Sequence, residues 1–385
     1  MSQPSKPIKA ITAAINWLKG YRLFIFIVAL FLIIAIGLSI VGPEEETRPK
    51  APHGNSDSVI EHNSSRWYSK HTYSDGRKIP LNIANTGVYL EKLYSLDLAR
   101  NSFRARGYIW SKWSGELIGW DKKPWPKQDP LDGVYMNTLN KHDSSLAGED
   151  YTYKSDHGWR YVYRLFDAEF ESDFNFKKYP FDRQHLILRF FQDGDAAVVR
   201  NYIDRGSKLD SKADSFKEYK VSKVIFSDMV YEYPTRFGFT DYDKHETQNY
   251  SVSAVKAEIH LDRSIISGFW KEILPPMLAS MLLLVNTISP WKGWEQSKAA
   301  IPPAVLLSLI FLHQGYQSRL PTLDYLTFMD IFYVLLYALT IYMAVEVIIS
   351  NSIESDSDQA KIKRVSQIVY VLLAVILPVT TWFII

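Results

Sequence analysis

The sequence predicts a membrane protein in three parts. A single N-terminal span precedes an all-β sandwich outside the membrane, and a bundle of four transmembrane helices follows. Three observations carry this: one apolar run near the start, period-two strands through the middle, and four apolar segments crowded into the last third. The mean hydropathy of −0.13 averages these unlike parts. A net charge of +2 gives no reason to expect nucleic acid as a partner. The absence of cysteine excludes disulfides, thiolate metal sites and cysteine nucleophiles.

Leu23 to Val41 is apolar apart from Gly37 and Ser39, close to the ~20 residues a span needs. Lys6, Lys9, Lys19 and Arg22 precede it and Glu44, Glu45 and Glu46 follow, so the N-terminus is expected in the cytoplasm. A cleaved signal peptide is the alternative, but its apolar region would run to only about 7–15 residues. Residues 1–22 are expected to form a cytoplasmic segment, 23–42 an anchor and 43–84 a linker, with 1–20 and 44–80 poorly ordered except where they dock.

Residues 85–263 read as the β domain. Gly107–Trp113 is rich in strand-forming residues. Arg160–Leu165, His185–Phe191 and Ser253–Leu261 alternate apolar and polar positions, the last with Lys256, Glu258 and His260 on one face. Short strands broken by Gly, Pro, Asn and Asp clusters suggest a sandwich. Gly119–Asp132 and Ser207–Lys217 are expected as loops.

Residues 264–385 hold the four spans: Ile265–Ile288, about Gln296–Tyr316, Phe328–Ser350 and Val365–Ile385. Lys361, Lys363 and Arg364 suit a cytoplasmic connection before the last. The second segment carries Ser297, Lys298, Ser308, His313, Gln314 and Arg319, a poor set to face lipid. Several copies around an axis would turn them to a shared channel, whereas three neighbouring segments are too few to surround the helix and keep it dry.

Three motifs carry a resemblance. Phe176-Lys-Lys-Tyr-Pro-Phe-Asp-Arg-Gln184 resembles the signature loop of pentameric ligand-gated ion channels, the Cys-loop receptor superfamily. Leu320-Pro-Thr-Leu-Asp-Tyr325, with Thr327 and Asp330, is similar to that family's link between its second and third membrane helices. Gly87 through Trp113 looks like its first two strands. Without cysteines, the chain resembles the prokaryotic branch. The resemblance implies a homopentamer in a bacterial inner membrane with its ligand-binding domain in the periplasm, conducting ions when an unidentified small molecule or proton binds. A non-conducting receptor on the same fold remains the alternative. No enzyme motif, cofactor or metal site is expected.

The resemblance also implies residue roles. Asp97, Asp182 and Arg263 would meet at the coupling interface, with Tyr179, Pro180 and Phe181 pressing on the linker that begins at Leu320 and Pro321. Counting back from that linker puts Leu307 at the hydrophobic constriction, Ala300 and Ala304 further in, and Phe311 further out. Glu295 and Lys298 would stand at the inner mouth, where the balance leans to cations. Pro302 and Pro303 either kink this helix or make Pro302 its first turn. Tyr108, Tyr202, Phe237, Phe239 and Tyr242 are the candidate ligand-site aromatics, though β-core packing is the plainer reading of each. His185, His245 and His313 make a proton ligand conceivable.

Overall fold

The structure is a computed structural model that describes residues 58–63, 80–119, 122–125, 128–139, 151–154, 158–192, 196, 198–213, 216, 218–235, 250–288, 295–353, 355–376 and 379. The N-terminal run expected as an anchor lies outside them, as do Phe237, Phe239, Tyr242 and His245. The chain divides into two compact units, one of sheets and one of helices.

In the first unit, two sheets pack face to face. Among the described residues, a five-stranded sheet has the order β1 (Ser58–His62), β10 (Tyr219–Glu232), β11 (Ser251–Arg263), β7 (Arg183–Phe191), β4 (Tyr135–Met136). A six-stranded sheet has the order β5 (Tyr151–Lys154), β6 (Trp159–Glu171), β3 (Ser102–Ser114), β2 (Asn82–Asp97), β8 (Val199–Ile203), with β9 (Lys208–Leu209) also pairing β2. Alternate residues of each strand turn inward, as the period of two requires. Thus Val88, Leu90, Ile109, Val162 and Phe166 meet Leu186, Leu188, Phe190, Ala257 and Ile259 in one core. Phe166 of one sheet stands edge-on to Phe190 of the other, with centroids 5.1 Å apart.

The four stretches expected as strands lie within β3, β6, β7 and β11. Two differences stand out. The stretch read as linker contributes β1 and the start of β2. β1 is short and pairs in parallel with β10, so its partner is remote and its own pattern too brief to signal it. The stretch read as a loop from Ser207 contains β9, a two-residue strand.

The second unit holds α1 (Ile265–Ile288), α2 (Glu295–Gln317), α3 (Phe328–Asn351) and α4 (Asp356–Val371, continuing as a π turn over Leu372–Ile376). The first three contain stretches long and apolar enough to cross a membrane. The last starts earlier than the expected Val365, so much of the supposed connection is helix. Ser355 precedes it and Asp358 lies in its first turn, where an acidic side chain suits the helix dipole. Tyr370 of α4 meets Ser280 of α1 at 3.2 Å, and Tyr342 of α3 meets Ser366 of α4 at 3.4 Å.

Both proline pairs are accommodated rather than helix-ending. Pro275 and Pro276 of α1 follow a π turn over Phe269–Ile273, a wider winding that absorbs missing amide donors. α2 starts at Glu295 and runs through Pro302 and Pro303, so Pro302 is not its first turn. Pro302 leaves the carbonyl of Lys298 without its helical donor. Asn286 of α1 supplies one, its Nδ2 donating to that oxygen at 3.3 Å. In a bilayer such replacement is what allows an interior proline.

Candidate functional site: a buried ion pair, an uncovered helix face and two aromatic surfaces

The residues Asn175–Asp182 belong with the helices, not with the sandwich their neighbours build. They form a tight loop in which Tyr179 N–H donates to Phe176 O at 2.9 Å and Phe181 N–H to Lys178 O at 2.8 Å. The Tyr179–Pro180 peptide is cis. Two hydrogen bonds tie the loop to the start of α3: Phe176 N–H donates to the Tyr325 hydroxyl at 3.0 Å, and Phe328 N–H donates to Lys177 O at 2.8 Å. The Lys177 ammonium also lies 5.9 Å from the Tyr325 ring centroid.

Asp182 and Arg263 are 2% and 8% exposed. Arg263 Nη1 donates to Asp182 Oδ1 at 3.3 Å. Its guanidinium also stacks on the Tyr179 ring, 4.4 Å from the centroid, with Nη2 3.5 Å from the hydroxyl. Burial pushes the Tyr179 phenol up to about 12, so it stays neutral at any ordinary pH. Tyr179 leans on Tyr316 of α2 with centroids 5.5 Å apart, and the Tyr316 hydroxyl lies 2.6 Å from Thr327 and donates to Asp330 at 2.8 Å. Thr327 and Asp330 cap α3 reciprocally. A chain of contacts, with ring packing of Tyr179 on Tyr316 between two polar links, thus joins Arg263 to the α2–α3 linker. Leu320 at its head is buried, while Pro321 is half-buried. Asp97 lies in the sandwich unit, where its carboxylate accepts the Arg100 N–H at 3.1 Å.

Gly268 shows how closely this loop is held. A Cβ there would stand 2.6 Å from the Pro180 carbonyl oxygen, backbone that has no rotamer to yield. Gly268→Ala is expected to cost about 1–3 kcal/mol through overpacking. A thermal melt of the purified protein should show the loss, and an unchanged melt would refute the close fit.

α2 has two unlike faces. Lys298, Pro302, Val305, Leu309 and Tyr316 are covered by its neighbours, whereas Ala300, Ala304, Leu307 and Phe311 form an exposed stripe at helical spacing. Of the three span-length helices among the described residues, α2 is the least enclosed, 22% of its span against 44% for α1 and α3. Lys298, expected at the inner mouth, instead turns into the bundle. It is 2% exposed and acts on the Glu346 carboxylate of α3, itself 4% exposed. For Glu295 only the backbone is described, as the first residue of α2.

Of the candidate ligand residues, Tyr108 and Tyr202 are among the described ones, and these two do not come together within one chain. Tyr108 and Tyr202 lie on the outer face of the six-stranded sheet, but Tyr108 pairs with Tyr89 and Tyr202 with Asn85 of the same strand, roughly 13 Å along it. Tyr108 packs edge-on against Tyr163 at 6.2 Å, and the Arg200 guanidinium covers the Tyr202 ring at 3.5 Å. The sequence reading missed a second aromatic group. Tyr231 and Tyr233 of the β10 end lie 4.8 Å apart, Tyr233 faces Tyr250 at 6.1 Å, and Tyr135 stacks on Phe191 at 5.1 Å. The hydroxyls of Tyr135 and Tyr233 are 3.1 Å apart. Tyr231 and Tyr233 share one face of a strand by their spacing of two. Joining them to Tyr135 needs the pairing of β4 with β7, which local sequence does not give.

A β-sandwich followed by apolar helices, with a buried ion pair where the chain enters them, is an architecture suited to a membrane receptor or channel. No family model matches the chain. The chain is similar to a curated proton-gated ion channel from Gloeobacter violaceus, 21% identical over 307 residues, 76% of this chain and 79% of that protein. That distant relative is a channel and not an enzyme.

Proposed function

We propose that the chain is one subunit of a homopentameric ligand-gated ion channel of a bacterial inner membrane. The observation that carries this reading is the stripe Ala300, Ala304, Leu307 and Phe311, left open on the one span-length helix that its own bundle covers least. Cyclic symmetry would turn each of these residues into a ring, with Leu307 as a hydrophobic constriction that gates by dewetting. Small alanines further in leave width for an ion. With Lys298 turned away from the stripe and Glu295 at the helix start, cations are the permeant ions proposed. The relative's name makes protons the first ligand to test, and the aromatic surfaces make amines the second. The sandwich would lie in the periplasm, α4 would complete the membrane bundle, and an N-terminal anchor would begin in the cytoplasm. Asp97 would join Asp182 and Arg263 in coupling.

The test is current through bilayers holding the purified protein, across pH and a panel of amines. Shrinking a five-membered leucine ring removes apolar surface worth ~0.8 kcal/mol per methylene. Leu307→Ala is therefore expected to raise current at low ligand by about tenfold. Wild-type pentamers that stay silent throughout would favour the non-conducting receptor instead.

A further inference from the structure

His185, Glu258 and His260 lie on the outer face of the five-stranded sheet, opposite the core. The antiparallel register sets His185 of β7 directly across from His260 of β11, and Glu258 precedes His260 by two on the same face. The rings of the two histidines are 4.2 Å apart. His260 Nε2 is 3.2 Å from Glu258 Oε1, and His185 Nδ1 is 3.8 Å from the same oxygen. One ligand atom from each residue fits within 4.8 Å of the other two.

We propose that these three residues form a binding site for a divalent transition metal of the zinc class. The spacing matches the chemistry. Two donors each about 2.1 Å from one ion at a tetrahedral angle lie about 3.4 Å apart. Two imidazoles and a carboxylate are ligands that borderline cations prefer over Ca²⁺ or Mg²⁺, which select oxygen. His260 Nε2 adds an independent observation. It is shielded from solvent and makes no hydrogen bond, although Glu258 Oε1 is so near. Two atoms so close yet not aligned for a hydrogen bond suit an ion at the apex between them.

The surroundings also suit this role. Lys256 Nζ holds the other carboxylate oxygen, Oε2, at 2.7 Å, which fixes the group and leaves Oε1 free to coordinate. A fourth position stays open to water, because His185 is exposed. The ion would pin β7 to β11. In the chain these strands directly follow Asp182 and end at Arg263, so metal binding would stiffen both approaches to the buried ion pair.

The full-length protein in detergent should be titrated with ZnCl₂ by calorimetry, and with CoCl₂ while following visible absorption. Wild type is expected to bind Zn²⁺ at this site, to rise in melting temperature with it, and to give the intense bands of tetrahedral cobalt. His185→Ala and His260→Ala should each weaken binding at least tenfold and remove those bands. Glu258→Gln should weaken it less. His185 is exposed, so its variant provides a folded control, checked by an unchanged melt without metal. Zn²⁺ affinity and cobalt spectra unaltered in both histidine variants would overturn the proposal. So would the absence of Zn²⁺ binding by wild type, or an equal response to CaCl₂.

Discussion

Arg263→Ala is expected to abolish ligand-evoked current or assembly. The variant leaves the Asp182 carboxylate, 2% exposed, without its guanidinium. Breaking a buried pair from one side costs about 3–5 kcal/mol. The stacking on Tyr179 is lost as well. Arg263→Lys tests the geometry: it keeps the charge but neither the fork nor the flat face, so it should fall between wild type and alanine. Size-exclusion chromatography separates failed assembly from failed gating. A double-mutant cycle with Asp182→Asn should give a coupling well above the 0.2–1 kcal/mol typical of exposed pairs. Normal ligand-evoked currents from Arg263→Ala would defeat the coupling role given to this residue.

The second large effect is expected deep in the helical unit. Glu346 and Lys298 lie in segments of span length and are nearly inaccessible. Lys363 of α4 is a second cation acting on that carboxylate. Charged groups are costly in a bilayer and persist there through each other. Glu346→Leu removes the carboxylate on which both lysines act and is expected to lower the melting temperature. Lys298→Met added to it should recover part of that loss, because a buried pair replaced by apolar groups of similar volume is often tolerated. Detergent-solubilised melting temperatures provide the measurement. A double variant no more stable than Glu346→Leu would show that the two side chains do not act as a unit.

The periodic parts of the fold were legible because burial writes itself into local pattern. β7 and β11 alternate along their length, and α1 and α3 match their apolar runs. β1 and β9 were not legible, since a strand of two to five residues has no period to read. The start of α4 was hidden because its first turns carry the charges that elsewhere mark a loop. Within the site, motif spacing placed Asp182, Arg263 and Tyr179 in the sequence, but not the stacking of one on another. Motif counting placed Lys298 near an expected channel mouth but did not say which way its side chain turns. A shift of two residues on a helix turns a side chain by about 200°. The spacing put Glu258 and His260 on one strand face, but the third residue of the cluster, His185, comes from a strand far away in the chain, so no spacing rule could add it.

The allegiance of Asn175–Asp182 bears on how such proteins can be recombined. Their partners are Tyr325, Phe328, Gly268 and Arg263, all on the helical side. A sandwich cut away at Asp262 would keep this stretch and lose these partners on the helical side, leaving the apolar Phe176 and Tyr179 without them. A chimera joining this sandwich to another protein's helices needs three splice points rather than one. Residues 175–182 must travel with the helices they grip.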